Sequence, residues 1–298
     1  MSKKDELLVF INDKFVLKSE AKISVYDHGL LYGDGVFEGI RVYNGIVFQL
    51  KEHIDRLYAS ANFIRLKIPL SKEELIKRVI ETLKVNKLTD AYIRIIVSRG
   101  VGDLGLDPRK CISPNIIIIT EPVPPYFGRD VKKEGLSCII SSIRRNPTDA
   151  LPPEIKSLNY LNNILAKIEA IEHGVDEAIF LDVRGFVCEA TGENIFIVKD
   201  GKIYTPPTHA SILQGVTRKR VIRLLKEMNF EVIEKDITLF ELINADEVFL
   251  TGTMAEIAPV SKINGIIIGD GKVGPITSKL IEEFHKLVTK REEGIPVE

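Results

Sequence analysis

The 298 residues contain no tryptophan, three methionines, three cysteines and two glutamines, Gln49 and Gln214. Cys111, Cys138 and Cys188 are scattered without a C-x-x-C pair. An odd, sparse set excludes a disulfide framework or a zinc cage and fits a reducing compartment. The five histidines (His28, His53, His173, His209 and His285) show no H-x-x-x-H spacing, so no metal is expected. Neither a G-x-x-x-x-G-K loop nor a serine flanked by glycine at −2 and +2 occurs, which removes Walker nucleotide chemistry and the nucleophile elbow. Pure aliphatic runs stop at four residues, 116–119, far short of the roughly 20 that a membrane helix needs. Charge of one sign is missing too. The 41 lysines and arginines meet 42 acids, a net of −1, which is a poor footing for neutralising nucleic-acid phosphates. The charged start Ser2-Lys3-Lys4-Asp5-Glu6 leads into a short apolar run, 7–11, stopped by Asn12-Asp13. That reads as a first strand and not a signal peptide, so a cytoplasmic protein is expected. Few Gln and Met beside many Lys and Glu is a bias reported for proteins that work hot.

What is present is globular: 45% apolar and 28% charged residues, in a length that divides into about two domains at ~150 residues each. No repeat or low-complexity tract appears. Ile54, Leu57, Tyr58, Ala61 and Ile64 fall at helical spacing across 51–66. Ser71 with Glu74 three residues on is a capping box, opening a helix that carries Leu75, Val79, Ile80 and Leu83. Strand-like runs follow at 92–97 and 116–120. Pro122, Pro124 and Pro125 crowd one stretch that can continue neither sheet nor helix. It predicts an interdomain linker at 121–134, between a smaller domain, 1–120, and a larger one, 135–298. Beyond it, strands are expected at 136–143, 178–181 and 195–198. Helices are expected at 158–173, 217–229 and 277–290. Interspersed strands and helices give an α/β (α+β) class.

Three local features carry possible chemistry. Gly100-Val101-Gly102-Asp103-Leu104-Gly105 matches G-x-G-x-x-G, but Leu106-Asp107-Pro108 follows where a dinucleotide site needs a helix, so a loop near a site is expected instead. Leu213-Gln214-Gly215-Val216-Thr217-Arg218 opens a helix, whose unpaired N–H groups could hold an anion. An ordinary helix start fits those residues as well. Lys156 precedes a helix whose apolar positions are Leu161, Ile164, Leu165, Ile168 and Ile171. The positive end of a helix disfavours an ammonium, which suits a Schiff-base lysine; a solvated lysine is the plain alternative.

Lys156-Ser157-Leu158-Asn159-Tyr160-Leu161-Asn162-Asn163 resembles the cofactor-lysine segment of class IV (fold type IV) pyridoxal-phosphate aminotransferases. Four further blocks agree in order. They are Tyr32-Gly33-Asp34-Gly35-Val36-Phe37-Glu38-Gly39-Ile40-Arg41, Glu52-His53-Ile54-Asp55-Arg56-Leu57, Glu189-Ala190-Thr191-Gly192-Glu193-Asn194-Ile195-Phe196 and Thr251-Gly252-Thr253-Met254-Ala255-Glu256-Ile257. Within the family the likeness is to branched-chain-amino-acid aminotransferases, through 36–41 and Ala91-Tyr92-Ile93-Arg94. The resemblance implies the two-domain architecture of D-amino-acid-aminotransferase-like enzymes, with pyridoxal 5'-phosphate in the cleft between domains. It implies a ping-pong cycle between L-leucine, L-isoleucine or L-valine and 2-oxoglutarate. It also implies a homodimer or larger homo-oligomer in which loops reach the partner's site. By the same resemblance Lys156 would carry the cofactor and shuttle the α-proton, Glu189 would pair with the pyridine nitrogen, and Tyr160 would bond the ring's phenolic oxygen. Arg56, Val216, Thr217 and Thr253 would hold the phosphate, with Glu193, Asn194, Leu213 and Gly215 around the cofactor. Tyr32, Phe37, Gly39, Tyr92, Arg94, Tyr126, Thr253 and Met254 would line the substrate pocket. Gly33-Asp34-Gly35 also resembles D-amino-acid aminotransferases, which together with 4-amino-4-deoxychorismate lyases stay as alternatives; a cofactor-free binding protein is a third.

Overall fold

The computed structural model describes residues 6–123 and 131–298, and the chain divides into two compact units. The first unit takes the chain up to 124 together with 155–159 and 288–298; the second takes 125–154 and 160–287.

The first unit is an antiparallel sheet covered by helices. Its strands are β1 (Leu8–Ile11), β2 (Lys14–Leu17), β3 (Gly35–Tyr43), β4 (Ile46–Phe48), β5 (Ala91–Ser98) and β6 (Asn115–Glu121), with Gly294–Pro296 added beside β4. Along β5, buried Ala91, Ile93, Ile95 and Val97 alternate with half-buried Tyr92, Arg94 and Ile96, the two-residue period of a sheet. The buried set packs with Val36, Ile40 and Val42 against α2 (Leu50–Phe63) and α3 (Lys72–Val85). Ser71 caps α3 and Glu74 returns the bond, as the local spacing predicts. A short α1 (His28–Tyr32) starts on buried Asp27 and ends at Gly33 with φ +69°, a left-handed position natural to glycine.

Two segments break the simple reading of one cut at 121–134. Gly294–Pro296 pairs antiparallel with β4, and Ser157 bridges Val36 while Ile155 enters the first core. Both are pairings across more than a hundred residues, for which composition gives no signal. The Pro-rich stretch itself straddles 124–130, outside the described residues, and its flanks are ordered as β6 and as α4 (Val131–Glu134).

The second unit is a mixed sheet. Its strands are β7 (Leu136–Ile140), β8 (Glu177–Leu181), β9 (Val187–Ala190), β10 (Asn194–Lys199), β11 (Lys202–Thr205), β12 (Val232–Glu234), β13 (Glu247–Gly252), β14 (Glu256–Ile263) and β15 (Ile266–Ile267). Their order is β12-β11-β10-β13-β14-β7-β8-β9, with β15 on β14. Packed with it are α5 (Leu161–Glu172), α6 (Val216–Glu227), α7 (Leu239–Ile243) and α8 (Pro275–Leu287).

The apolar stripe of α5 faces outward. Leu161, Ile164, Leu165, Ile168 and Ile171 are 43–65% exposed, while Asn163, Ala166 and Ala170 face the unit's core. Small residues let the helix lie close to β8. Helical periodicity marks the apolar face without saying what covers it. The glycine-rich 100–105 segment leads into a loop and a single turn at Pro108–Lys110, so the dinucleotide reading falls. A side chain at Gly100 would meet the Ser113 carbonyl oxygen, and its φ is +93°. No helix among the described residues is long and apolar enough to cross a membrane.

Candidate active site

Residues named from the sequence gather into two groups, one on each unit. On the first unit, the chain around Lys156 lies extended along β3. Phe37 N–H donates to the Lys156 carbonyl at 2.9 Å, Leu158 N–H donates to the Gly35 carbonyl at 2.9 Å, and Lys156 N–H donates to Ser60 Oγ at 3.2 Å. In the sequence Lys156 is five residues ahead of α5, whose first turn begins at Leu161. What meets its ammonium is the Phe37 ring, 4.5 Å from Nζ to the centroid. The Arg94 guanidinium lies at the same distance from that ring and 5.5 Å from the Tyr92 centroid. Among the described residues Arg94 has no carboxylate partner. Register explains the cluster. Gly39 pairs with Arg94 and Phe37 with Ile96, which places Phe37, Gly39, Tyr92 and Arg94 on one face of the sheet. Gly39 is needed there, because a Cβ on it would stand 2.2 Å from the Tyr92 hydroxyl.

Arg56 is held by a residue the sequence reading quoted but gave no role. Its Nε and Nη2 donate to the two oxygens of Glu38, at 2.7 and 2.8 Å, and Glu38 is fully buried. His53 Nδ1 lies 2.7 Å from the same carboxylate. Burial pushes Glu38 up, but Arg56 and His53 outweigh it and hold the carboxyl well below the usual range. Burial, ahead of the opposing pull of Glu38, pushes His53 below its ordinary 6.5. At neutral pH the ring is thus uncharged and donates Nδ1–H, so the charged pair is Arg56–Glu38.

On the second unit the centre is Glu189, 4% exposed. Its Oε1 accepts from Arg145 Nε at 2.9 Å; its Oε2 accepts from Asn194 Nδ2 at 3.0 Å and Leu213 N–H at 2.9 Å. Asn194 also donates to the Leu213 carbonyl, tying β10 to the turn ahead of α6. That turn comes close: a Cβ on Gly215 would stand 2.1 Å from Asn194 Oδ1. Gly215 is the N-cap of α6 and offers no side-chain cap, so Thr217 lies within the first turn. Thr253 and Met254 form the turn from β13 to β14, whose Gly252 packs on the Glu193 side chain. Tyr160 is the N-cap residue of α5, without a side-chain capping bond.

One expected pocket residue, Tyr32, is engaged away from that sheet face. The Tyr32 ring packs edge-on against His28, and its hydroxyl donates to the Leu104 carbonyl in the 100–105 loop. Tyr126 lies outside the described residues. Besides Glu38, the sequence reading missed Arg145, which no motif contains, and Thr251. The Thr251 hydroxyl is buried without a partner among the described residues, on the face it shares with its strand partner Asn194. An orphan hydroxyl and an uncapped helix start offer donors, and a buried, fixed carboxylate an acceptor, a set that fits a flat, phosphorylated, nitrogen-bearing ring.

The amino-transferase class IV family model matches residues 35–263. A putative branched-chain-amino-acid aminotransferase of Methanocaldococcus jannaschii is 58% identical over 95% of this chain and 96% of its own length. The branched-chain-amino-acid aminotransferase of Escherichia coli strain K12 is 38% identical over 98% and 96%. The T.th. branched-chain amino acid aminotransferase superposes with a TM-score of 0.93 in two crystal structures. One is complexed with N-(5'-phosphopyridoxyl)-L-glutamate, the other with 4-methylvaleric acid; identity is 39% and 38%, over 98% of this chain and 99% of that one. Matched by the family model over most of its length and 38–58% identical to these relatives, the chain belongs to the class IV aminotransferase family.

Proposed function

We propose that this pyridoxal-phosphate-dependent aminotransferase moves amino groups between L-leucine, L-isoleucine or L-valine and 2-oxoglutarate. The observation that carries the reading is Arg94, a half-buried cation stacked on Phe37 with no carboxylate partner among the described residues. One pocket must accept an aliphatic side chain and an acidic one. Phe37 and Tyr92 offer apolar surface for the first. Arg94 offers the second carboxylate a forked, charge-assisted partner, without which its desolvation would be costly. The relative crystallised with both an L-glutamate adduct and a branched apolar acid supports the same pairing.

The cofactor, when bound, supplies an electron sink for the charge left at the substrate's α-carbon. The chain's residues do the rest. Lys156 Nζ carries the cofactor and moves the α-proton. Glu189 holds a proton on the ring nitrogen. By the family resemblance Val216 and Thr217 N–H, the Thr253 hydroxyl and Arg56 would hold the phosphate; Glu38 fixes the Arg56 fork. Tyr160 bonds the phenolic oxygen, and Asn194 and Leu213 keep Glu189 in place. The α5 stripe supports a homo-oligomer, since five adjacent exposed aliphatics need a cover.

Absorbance tests the reading. The purified, reconstituted protein should absorb in the roughly 330–430 nm region characteristic of this cofactor, and L-leucine should change that spectrum. D-alanine and 4-amino-4-deoxychorismate should not. A response to D-alanine alone, or to aminodeoxychorismate alone, transfers the chain to those activities.

A further inference from the structure

Arg145 lies outside every motif of the site, yet it is buried and spans two parts of the second unit. Its Nε donates to Glu189 Oε1 at 2.9 Å. Its Nη1 reaches Asn162 Oδ1 at 2.9 Å and Asn163 Oδ1 at 3.4 Å, both in the first turn of α5. Those asparagines are fixed in turn: Asn162 Nδ2 donates to the Arg144 carbonyl and Asn163 Nδ2 to the Thr191 carbonyl. The guanidinium also stands 5.5 Å from the Phe180 centroid, walled off from water at 6% exposure.

We infer that Arg145 is a positioning residue: it supplies the countercharge and the orientation that let Glu189 hold a proton on the nitrogen of the bound ring. This rests on the reading of Glu189 given above. Burying a carboxylate to 4% exposure is costly without a charged, hydrogen-bonded partner. The other two donors, Asn194 and Leu213 N–H, are uncharged. They also sit on the opposite oxygen, so without Arg145 the carboxylate plane loses one of its two anchors. A neutral or turned carboxyl cannot stabilise a protonated ring nitrogen, and the electron sink weakens. Arg145 then touches neither substrate nor cofactor and acts wholly through Glu189.

The test loads the protein with pyridoxal phosphate labelled with 15N in the ring and records the nitrogen resonance. Arg145→Gln, Glu189→Gln and the double variant are compared with the parent chain. The expected result is a nitrogen at the protonated position in the parent and at the unprotonated position in both single variants. Arg145→Lys, which keeps the charge, should return it at least halfway. In the double variant no buried charge is stranded, so it stays testable if Arg145→Gln does not fold. Its resonance and single-turnover rate should match Glu189→Gln alone, within about twofold. A protonated nitrogen in folded Arg145→Gln, or a double variant more than tenfold slower than Glu189→Gln, overturns the inference. If Glu189→Gln itself leaves the nitrogen protonated, the role given to Glu189 fails first, and the two failures are distinguishable.

Discussion

Arg94 and His53 each make a claim that a single substitution can break. Arg94→Gln should damage the two half-reactions unequally. With 2-oxoglutarate the loss should be about 2–5 kcal/mol, the usual cost of stranding one member of a buried charge pair. With L-leucine it should be much smaller, because an aliphatic side chain leaves no charge unpaired. Rapid-mixing absorbance separates the two, and equal losses take Arg94 out of the pocket. For His53 the consequence is in stability. Burial holds the folded ring neutral, so below its ordinary 6.5 the unfolded chain takes up a proton that the folded chain refuses. This contribution is complete well above that value and is lost as pH falls through it toward the depressed folded value. His53→Gln, which still donates to Glu38, should therefore lose less of its urea midpoint than the parent chain between about pH 8 and pH 5.5. Identical losses would show that His53 is not held neutral. Glu38, depressed in the folded state, adds its own loss as pH falls through the ordinary carboxylate value of 4.5 and below, lower than the window set by His53.

Elements were legible in the sequence to the extent that their signals are local. The Ser71–Glu74 box needs four consecutive residues, and the helix begins there. Ser71→Ala should cost about 1 kcal/mol, read as a lower urea midpoint at unchanged slope; an unchanged midpoint would mean the cap adds nothing. Tyr92 and Arg94 share a face because strands alternate, and the strand was visible. What could not be read depends on distant chain. The helix after Lys156 starts three residues later than its periodicity implies, because Ser157 bridges Val36 and the Lys156 and Leu158 backbone bonds β3. The stripe on α5 looks like core in sequence and is exposed in the unit, since the pattern alone does not say what it packs against. Arg145 meets Glu189 across 44 positions and carries no motif around it, so only the fold brings it to the site.

At the scale of the whole molecule, the proposed roles fall on both units: Lys156 belongs to the first and Tyr160, four residues on, to the second. The proposed oligomer belongs to this scale as well. Sedimentation should give at least twice the chain mass, and a glutamate at Ile164 or Ile168 on the α5 stripe should shift it toward the single chain. An unchanged mass would remove α5 from the interface. The central claim is that Lys156 Nζ carries the cofactor, and the most direct measurement is borohydride reduction of the loaded protein followed by peptide mapping. One modified lysine is expected, in the peptide containing Ile155-Lys156-Ser157, and none in Lys156→Ala. A label on any other lysine, with Lys156 unmodified, would contradict it.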